Sequence, residues 1–192
     1  MRVFALVQCE YQWLVDDDTL VMRESRQLRF RDVGDQRMID VLVEFRAEAD
    51  DVRFGDTKEG MFALRVHPAL RVSGEAANGT LRNSEGRNGK AVWGKRARWI
   101  DDSGVVDGKP VGVTMMDHPK NLRFPTWWHA RTYGLLAANP FGVHDFEKQP
   151  AGTGNYVLKK GETLSLRYRV LLHGADWDDE RIEAAYQDWV DQ

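Results

Sequence analysis

Two stretches of the chain alternate apolar and polar residues with a period of two, which is typical of half-buried β-strands. They cover residues 37–49 and 164–173. The apolar positions are Ile39, Val41, Val43, Phe45 and Ala47 in the first stretch, and Leu164, Leu166, Tyr168, Val170 and Leu172 in the second. The pattern predicts two long antiparallel strands, each with one buried and one polar face.

Shorter apolar runs predict further strands at 3–7, 11–15, 20–30, 61–66, 91–100, 111–116, 129–136 and 156–159. Turn signals such as Val33-Gly34-Asp35 and Asn88-Gly89 separate them. Residues 74–90 hold almost no large apolar side chain, so we expect a long polar loop there. Many strands joined by polar turns predict an all-β fold, an antiparallel β-sandwich that forms one domain over residues 1–192.

Only the C-terminal end has a helical pattern. Ile182, Ala185, Tyr186, Trp189 and Val190 recur at the spacing of one helix face. Asp178 or Asp179 can cap the first turn, which is rich in acidic residues. We therefore expect a short C-terminal helix with one face on the sheet.

Composition excludes several classes of protein. The 192 residues carry 27 Lys and Arg against 30 Asp and Glu, a net charge of −3, which argues against a nucleic-acid partner. No apolar run approaches the length of a membrane span, and the N-terminus does not resemble a signal peptide. One cysteine, Cys9, allows no internal disulfide. These features predict a cytoplasmic protein without a membrane partner.

Candidate chemistry is concentrated in residues 110–150. This segment holds three of the five histidines and five of the six prolines. Proline fixes φ and lacks a backbone donor, so the run predicts a shaped loop between strands. A loop rich in Trp, His, Arg, Asn and Asp combines stacking surfaces with hydrogen-bonding groups, as sites for sugars and other polyols do.

Six motifs in order resemble a bacterial family of unknown function whose members are often labelled "methane oxygenase PmoA". They are Phe54-Gly55-Asp56-Thr57-Lys58-Glu59-Gly60, Leu64-Arg65-Val66-His67, Trp93-Gly94-Lys95-Arg96-Ala97-Arg98-Trp99, Asp117-His118-Pro119, Trp128-His129-Ala130-Arg131-Thr132-Tyr133-Gly134 and Ala138-Asn139-Pro140-Phe141-Gly142. The resemblance implies a galactose-mutarotase-like β-sandwich (a supersandwich) and a role in carbohydrate metabolism. It also implies that this chain corresponds to the C-terminal part of the family domain, so we expect an incomplete sandwich without an upstream histidine-rich segment.

Proton transfer on a sugar or oxidised sugar is the activity we expect from these residues: epimerisation, hydration or elimination. His118 or His129 would work as the acid or base with a carboxylate, either Glu59 or Asp117. The side chains expected to bind the substrate are Lys58, Arg65, His67, Arg123, Trp128, Arg131 and Asn139.

Two other functions remain open at this stage. The same aromatic and arginine side chains could form a carbohydrate-binding or interaction module without catalysis. A metal-dependent oxygenase would need a metal held by Asp117, His118 and His129, a spacing that matches no known signature, so no cofactor is assigned. An incomplete sandwich would also leave a sheet edge exposed, which favours a homodimer.

Overall fold

Antiparallel strand pairing organises nearly the whole molecule. The computed structural model describes residues 3–16, 18–174 and 176–192. Within them the strands are β1 (Val3–Val15), β2 (Thr19–Val33), β3 (Gln36–Ala47), β4 (Val52–Phe54), β5 (Phe62–Arg65), β6 (Thr80–Asn83), β7 (Lys95–Arg96), β8 (Trp99–Val106), β9 (Lys109–Asp117), β10 (Trp127–Trp128), β11 (Leu135–Asn139), β12 (Tyr156–Leu158) and β13 (Thr163–His173). The α-helices are α1 (Val143–Glu147) and α2 (Asp179–Val190).

Three sheets result from this pairing. The large sheet has the order β1-β2-β3-β13-β9-β8-β6, a second sheet has the order β5-β11-β10-β7, and β12 pairs with β4. The two alternating stretches of the sequence are direct neighbours, since Val41 of β3 lies opposite Tyr168 of β13. Their apolar faces join the main core, where Tyr168 stacks on Phe62 of the second sheet with 4.9 Å between ring centroids. The all-β sandwich prediction is confirmed.

The predicted C-terminal helix is confirmed as α2. The carboxylate of Asp178 accepts a hydrogen bond from the backbone N–H of Arg181 and so caps the helix. Ile182, Tyr186 and Trp189 are buried, and they pack against the outer face of the large sheet. No helix among the described residues is long and apolar enough to cross a membrane.

Several strand predictions need correction. Residues 3–15 form one strand instead of two. The predicted strand at 91–100 is interrupted because Gly94 adopts a φ of +67°, which an extended strand cannot contain. The predicted strand at 129–136 is likewise interrupted by a turn at Gly134, where φ is +89°. The segment expected to be a polar loop contains β6, because Leu81 is buried and its strand pairs with β8.

Candidate functional site

The carboxylate of Asp117 lies at the end of β9, where the proline-rich segment begins. It is fully buried and accepts hydrogen bonds from Asn121 Nδ2 at 2.7 Å and from the backbone N–H of Thr126 at 2.8 Å. Burial raises its pKa to about 7, although both hydrogen bonds act in the opposite direction. Asp117 therefore holds the first turns of the segment in place from inside the protein.

His118, the next residue, lies on the outer side of the large sheet. Its Nδ1 accepts a hydrogen bond from the backbone N–H of Lys120 at 3.1 Å, so the neutral ring carries its proton on Nε2. The ring edge meets Trp189 of α2 with 5.2 Å between centroids. Burial first, and then the charges of Arg167 and Lys120, lower the His118 pKa. His118 is thus a neutral hydrogen-bond donor.

His129 has the opposite tautomer. Its Nδ1 lies 2.5 Å from the carbonyl oxygen of Lys58, and because a carbonyl can only accept, Nδ1 carries the hydrogen. A base that takes up a proton at this ring therefore uses Nε2. The ring is 4% exposed and packs edge-on against Trp93 and Phe146.

The two histidines therefore have different neighbours, His118 beside α2 and His129 beside Trp93 and α1. Over residues 3–16, 18–174 and 176–192, no three His, Cys, Asp or Glu side chains form a group that could hold a metal ion. The hypothetical metal site at Asp117, His118 and His129 is not assembled.

Arg123, expected to bind substrate, instead joins loops of the protein. Its guanidinium donates hydrogen bonds to the carbonyl oxygens of Pro140 at 2.9 Å, Gly154 at 2.7 Å and Asn155 at 3.1 Å. Each of these bonds occupies an N–H that a ligand would need. Arg123 has a structural role in this arrangement.

Asn139 and Trp128 are also enclosed by the fold. The Asn139 amide donates to the Thr57 carbonyl at 2.8 Å, and its oxygen accepts from the backbone N–H groups of Phe141 and Gly142. Trp128 lies in the main core with no exposed surface, and its indole N–H donates to a backbone carbonyl. Neither side chain can reach a ligand without rearrangement of the core.

The remaining predicted residues lie on the surface. Lys58 and Glu59 form an exposed pair with 3.8 Å between Nζ and Oε1. The guanidinium carbons of Arg65 and Arg131 both lie 5.6 Å from the centre of the Tyr133 ring. His67 instead caps a 3₁₀ helix, where its Nδ1 accepts from the backbone of the second residue after it.

A cavity of about 270 Å³ has walls from Lys90, Trp93 and Arg131, and from Ala130, the residue that follows His129; His129 itself is not part of the wall. Trp93 connects the two, since it forms part of the cavity wall and also packs against the His129 ring. Its indole N–H is buried and has no hydrogen-bond partner among the described residues. We call Lys90, Trp93, His129 and Arg131 the His129 surface.

A family model described as a family of unknown function, DUF6807, matches residues 2–187. The chain belongs to this family. No curated protein matches the chain. Because the DUF6807 description assigns no activity, the methane oxygenase label, the mutarotase-like fold and the missing upstream segment stay predictions.

This DUF6807 member also has a cluster of arginine side chains that its sequence does not predict. Four arginines line one cavity on the outer face of the large sheet, Arg29 and Arg31 on β2 and Arg167 and Arg169 on β13. The available signal was the repetition of arginine at positions i and i+2 on the polar faces of two strands. Their spatial meeting depends on β3, which lies between β2 and β13.

A buried polar network around Asp101 is not predicted by the residue pattern. His173 Nε2 lies 2.9 Å from Asp101 Oδ1, which also accepts a hydrogen bond from Thr114 at 2.8 Å, and Arg82 approaches the second Asp101 oxygen. The only available signal was the Asp101-Asp102 pair within an apolar strand. Because all members except Arg82 are buried, the network connects β8, β9 and β13 internally.

Proposed function

We propose that the protein binds a sugar or oxidised sugar at the His129 surface and transfers a proton with His129. The observation that carries this proposal is the hydrogen bond between His129 Nδ1 and the Lys58 carbonyl. A carbonyl partner fixes both the tautomer and the ring orientation, as it does for histidines that act as general bases. The nitrogen left for proton transfer is Nε2.

Side chains suited to a carbohydrate surround the cavity next to this ring. Trp93 offers an aromatic wall and an indole N–H that lacks a partner, and sugars use both kinds of contact. Lys90 and Arg131 supply positive charge, and neither forms an ion pair with the described residues. A carboxylate on an oxidised sugar would therefore meet two available cations.

A base at His129 Nε2 and the nearby cations Lys90 and Arg131 suit one class of reaction. A carbon next to a carboxylate or carbonyl group holds its hydrogen weakly enough for an imidazole to remove it when a cation stabilises the resulting anion. His129 Nε2 would accept that proton, with Arg131 or Lys90 as the cation. Return of a proton to the opposite face of that carbon gives epimerisation. Loss of a neighbouring hydroxyl as water, with the proton supplied by the His129 imidazolium, gives elimination.

Deuterium exchange tests this proposal before the substrate is known. Monosaccharides and sugar acids are incubated with the protein in D₂O, and proton NMR measures deuterium at the carbon next to the carboxyl or carbonyl group. We expect exchange with the natural protein, loss of exchange in His129→Gln and weaker binding in Arg131→Ala. His144→Gln is the matched control, because His144 also has its Nδ1 bonded to a backbone carbonyl but lies outside the His129 surface.

Binding without chemistry is the second candidate, and the low exposure of His129 favours it. It predicts that a sugar raises the melting temperature with no deuterium exchange and no product on chromatography. If His129→Gln exchanges deuterium as fast as the natural protein, His129 is not the base. Melting curves and circular dichroism of each variant distinguish loss of function from loss of fold.

We also propose that β1 pairs with β1 of a second copy. This edge strand exposes several large apolar side chains, Leu6, Val7, Tyr11, Trp13, Leu14 and Val15, and only Glu10 carries a charge. Long apolar edges without charges pair readily with other strands. Antiparallel pairing centred on Cys9 would place Glu10 opposite Gln8 and no like charges opposite each other.

A further inference from the structure

The outer face of the large sheet carries a cavity of about 290 Å³ beside the C-terminal end of α2. We propose that this cavity binds the phosphoryl group of a small molecule. We call its four arginines, Arg29, Arg31, Arg167 and Arg169, the arginine pocket. It is a separate site from the His129 surface, with no lining residue in common.

Strand register brings these side chains together. Asp40 of β3 lies opposite Arg29 of β2 on one side and opposite Arg169 of β13 on the other. Arg31 lies two residues after Arg29 on β2, and Arg167 lies two residues before Arg169 on β13. They therefore flank Asp40 in opposite directions along the strands, on the same face as these three. The arrangement is built on the interior strands of a sheet, so its geometry is rigid.

Positive charge is concentrated in the arginine pocket. The charged side chains that line the cavity are four arginines and Asp40, a balance of 4 − 1 = +3, whereas the whole chain has a net charge of −3. Asp40 is already shared, because Arg169 Nε lies 2.5 Å from Oδ1 and Arg31 Nη2 lies 3.1 Å from Oδ2. One carboxylate thus leaves a surplus of positive charge.

Arg169 supplies an independent sign of a missing ligand. The residue is 3% exposed, and its Nη2 is buried with no hydrogen-bond partner among the described residues. An unpaired N–H of a buried guanidinium is energetically costly, so natural proteins seldom leave one without a partner. An oxyanion in the cavity would satisfy that donor.

Other donors favour a phosphoryl group over a carboxylate. Arg167 is exposed at the cavity and forms no ion pair in the part of the chain that the structure describes, and neutral His118 carries its proton on Nε2. Gln27 adds an amide group to the lining, whereas the Gln192 amide already accepts from Arg31 and donates to the Asp188 carbonyl. A phosphoryl group has three acceptor oxygens and about two negative charges, which complement several guanidinium groups around one cavity better than a single carboxylate does.

The size of the cavity argues for a small molecule. Sites for metabolites usually have volumes of roughly 300–1,000 Å³, and Trp189 closes one side of this cavity, where its ring packs against both Arg169 and His118. A nucleic acid would need an extended basic surface, whereas the surplus charge here is confined to one cavity.

Calorimetric titration and thermal shift with four probes test the proposal: inorganic phosphate, glucose 6-phosphate, glucuronate and glucose. We expect both phosphoryl probes to bind and stabilise the protein, with glucose inactive and glucuronate weaker. Arg167→Gln and Arg31→Gln should each lower the affinity for glucose 6-phosphate by roughly tenfold, the usual effect of losing one charged hydrogen bond. Arg46→Gln is the control, since Arg46 lies on the same sheet face outside the cavity and is 59% exposed.

Three results would overturn the proposal. The first is no binding of either phosphoryl probe at about 10 mM, a concentration that would reveal even millimolar affinity. The second is an equal loss of affinity in Arg46→Gln, which would indicate nonspecific attraction. The third is glucuronate binding as tightly as glucose 6-phosphate. Phosphate binding that persists in His129→Gln would show that this site is independent of the proposed function.

Discussion

Asp102 should make the folded protein less stable as the pH rises. Its side chain lies on the inner face of β8, is 1% exposed and has one buried oxygen, Oδ1, without a hydrogen-bond partner in the part of the chain that the structure describes. Burial, and next the charge of neighbouring Asp101, raise its pKa from 3.8 to about 8. At neutral pH the folded protein therefore holds Asp102 protonated, whereas the unfolded chain ionises it.

The size of the effect follows from this difference in pKa. Between pH 3.8 and pH 8 the folded state binds more protons than the unfolded state, so the free energy of unfolding falls as pH rises. The stability from this group is fully present below pH 3.8 and lost by pH 8. At about 1.4 kcal/mol per pKa unit, the loss between pH 5 and pH 7 is about 2–3 kcal/mol.

Urea unfolding of the natural protein and Asp102→Asn at pH 5, 6, 7 and 8 measures the effect. The amide has nearly the shape of the protonated acid and cannot ionise, so the variant should gain stability relative to the natural protein by about 2–3 kcal/mol from pH 5 to pH 7. Asp117 titrates in the same range but is present in both proteins, so its contribution cancels. Asp50→Asn, at an exposed position, is the control and should show no such trend.

Parallel pH profiles for the natural protein and Asp102→Asn would refute this reasoning. That result would mean that Asp102 ionises equally easily in the folded and unfolded states, and that water or a rearranged side chain reaches the inner face of β8. A constant offset between the profiles would reflect packing of the amide and not proton linkage.

Three further changes test the fold and the assembly. Asp178→Ala removes the cap of α2 and should lower the free energy of unfolding by about 1 kcal/mol in urea denaturation. Gly112→Ala places a Cβ 2.1 Å from Cε1 of His173, so we expect a loss of about 1–3 kcal/mol by the same assay, and an unchanged midpoint would contradict the close packing. Val7→Lys adds a charge to the apolar edge strand, so the molar mass measured by light scattering should fall from that of a dimer to that of a monomer. Val157→Lys, at a similarly exposed apolar position on β12, is the control and should leave the molar mass unchanged.

The sequence predicts the long strands and the helix well because their signals are local. Alternation along β3 and β13 identifies which face is buried, since a strand exposes its side chains with a period of two. The spacing of Ile182, Tyr186 and Trp189 identifies the buried face of α2 in the same way. The interrupted strands at Gly94 and Gly134 were harder to predict because a positive φ leaves no pattern beyond the glycine itself.

Site residues are less predictable from their positions along the chain. Arg123 and Asn139 resemble ligand-binding residues in the sequence, yet the fold uses them to hold backbone carbonyl and amide groups of neighbouring loops. His118 and His129 are eleven residues apart, but the chain places one against α2 and the other against Trp93. Their opposite tautomers depend on hydrogen bonds to backbone groups that no residue type reveals.

By itself the sequence determined the β-sandwich class, the polar and apolar faces of its longest strands and the capped helix, because each depends on neighbouring residues. Only the tertiary structure decided which polar side chains meet. Arg29 and Arg169 are 140 positions apart, and they share one face only because Asp40 pairs with both. Asp102 follows Asp101 in the chain but points to the opposite face, so its burial and its raised pKa depend on the sheet packed above it.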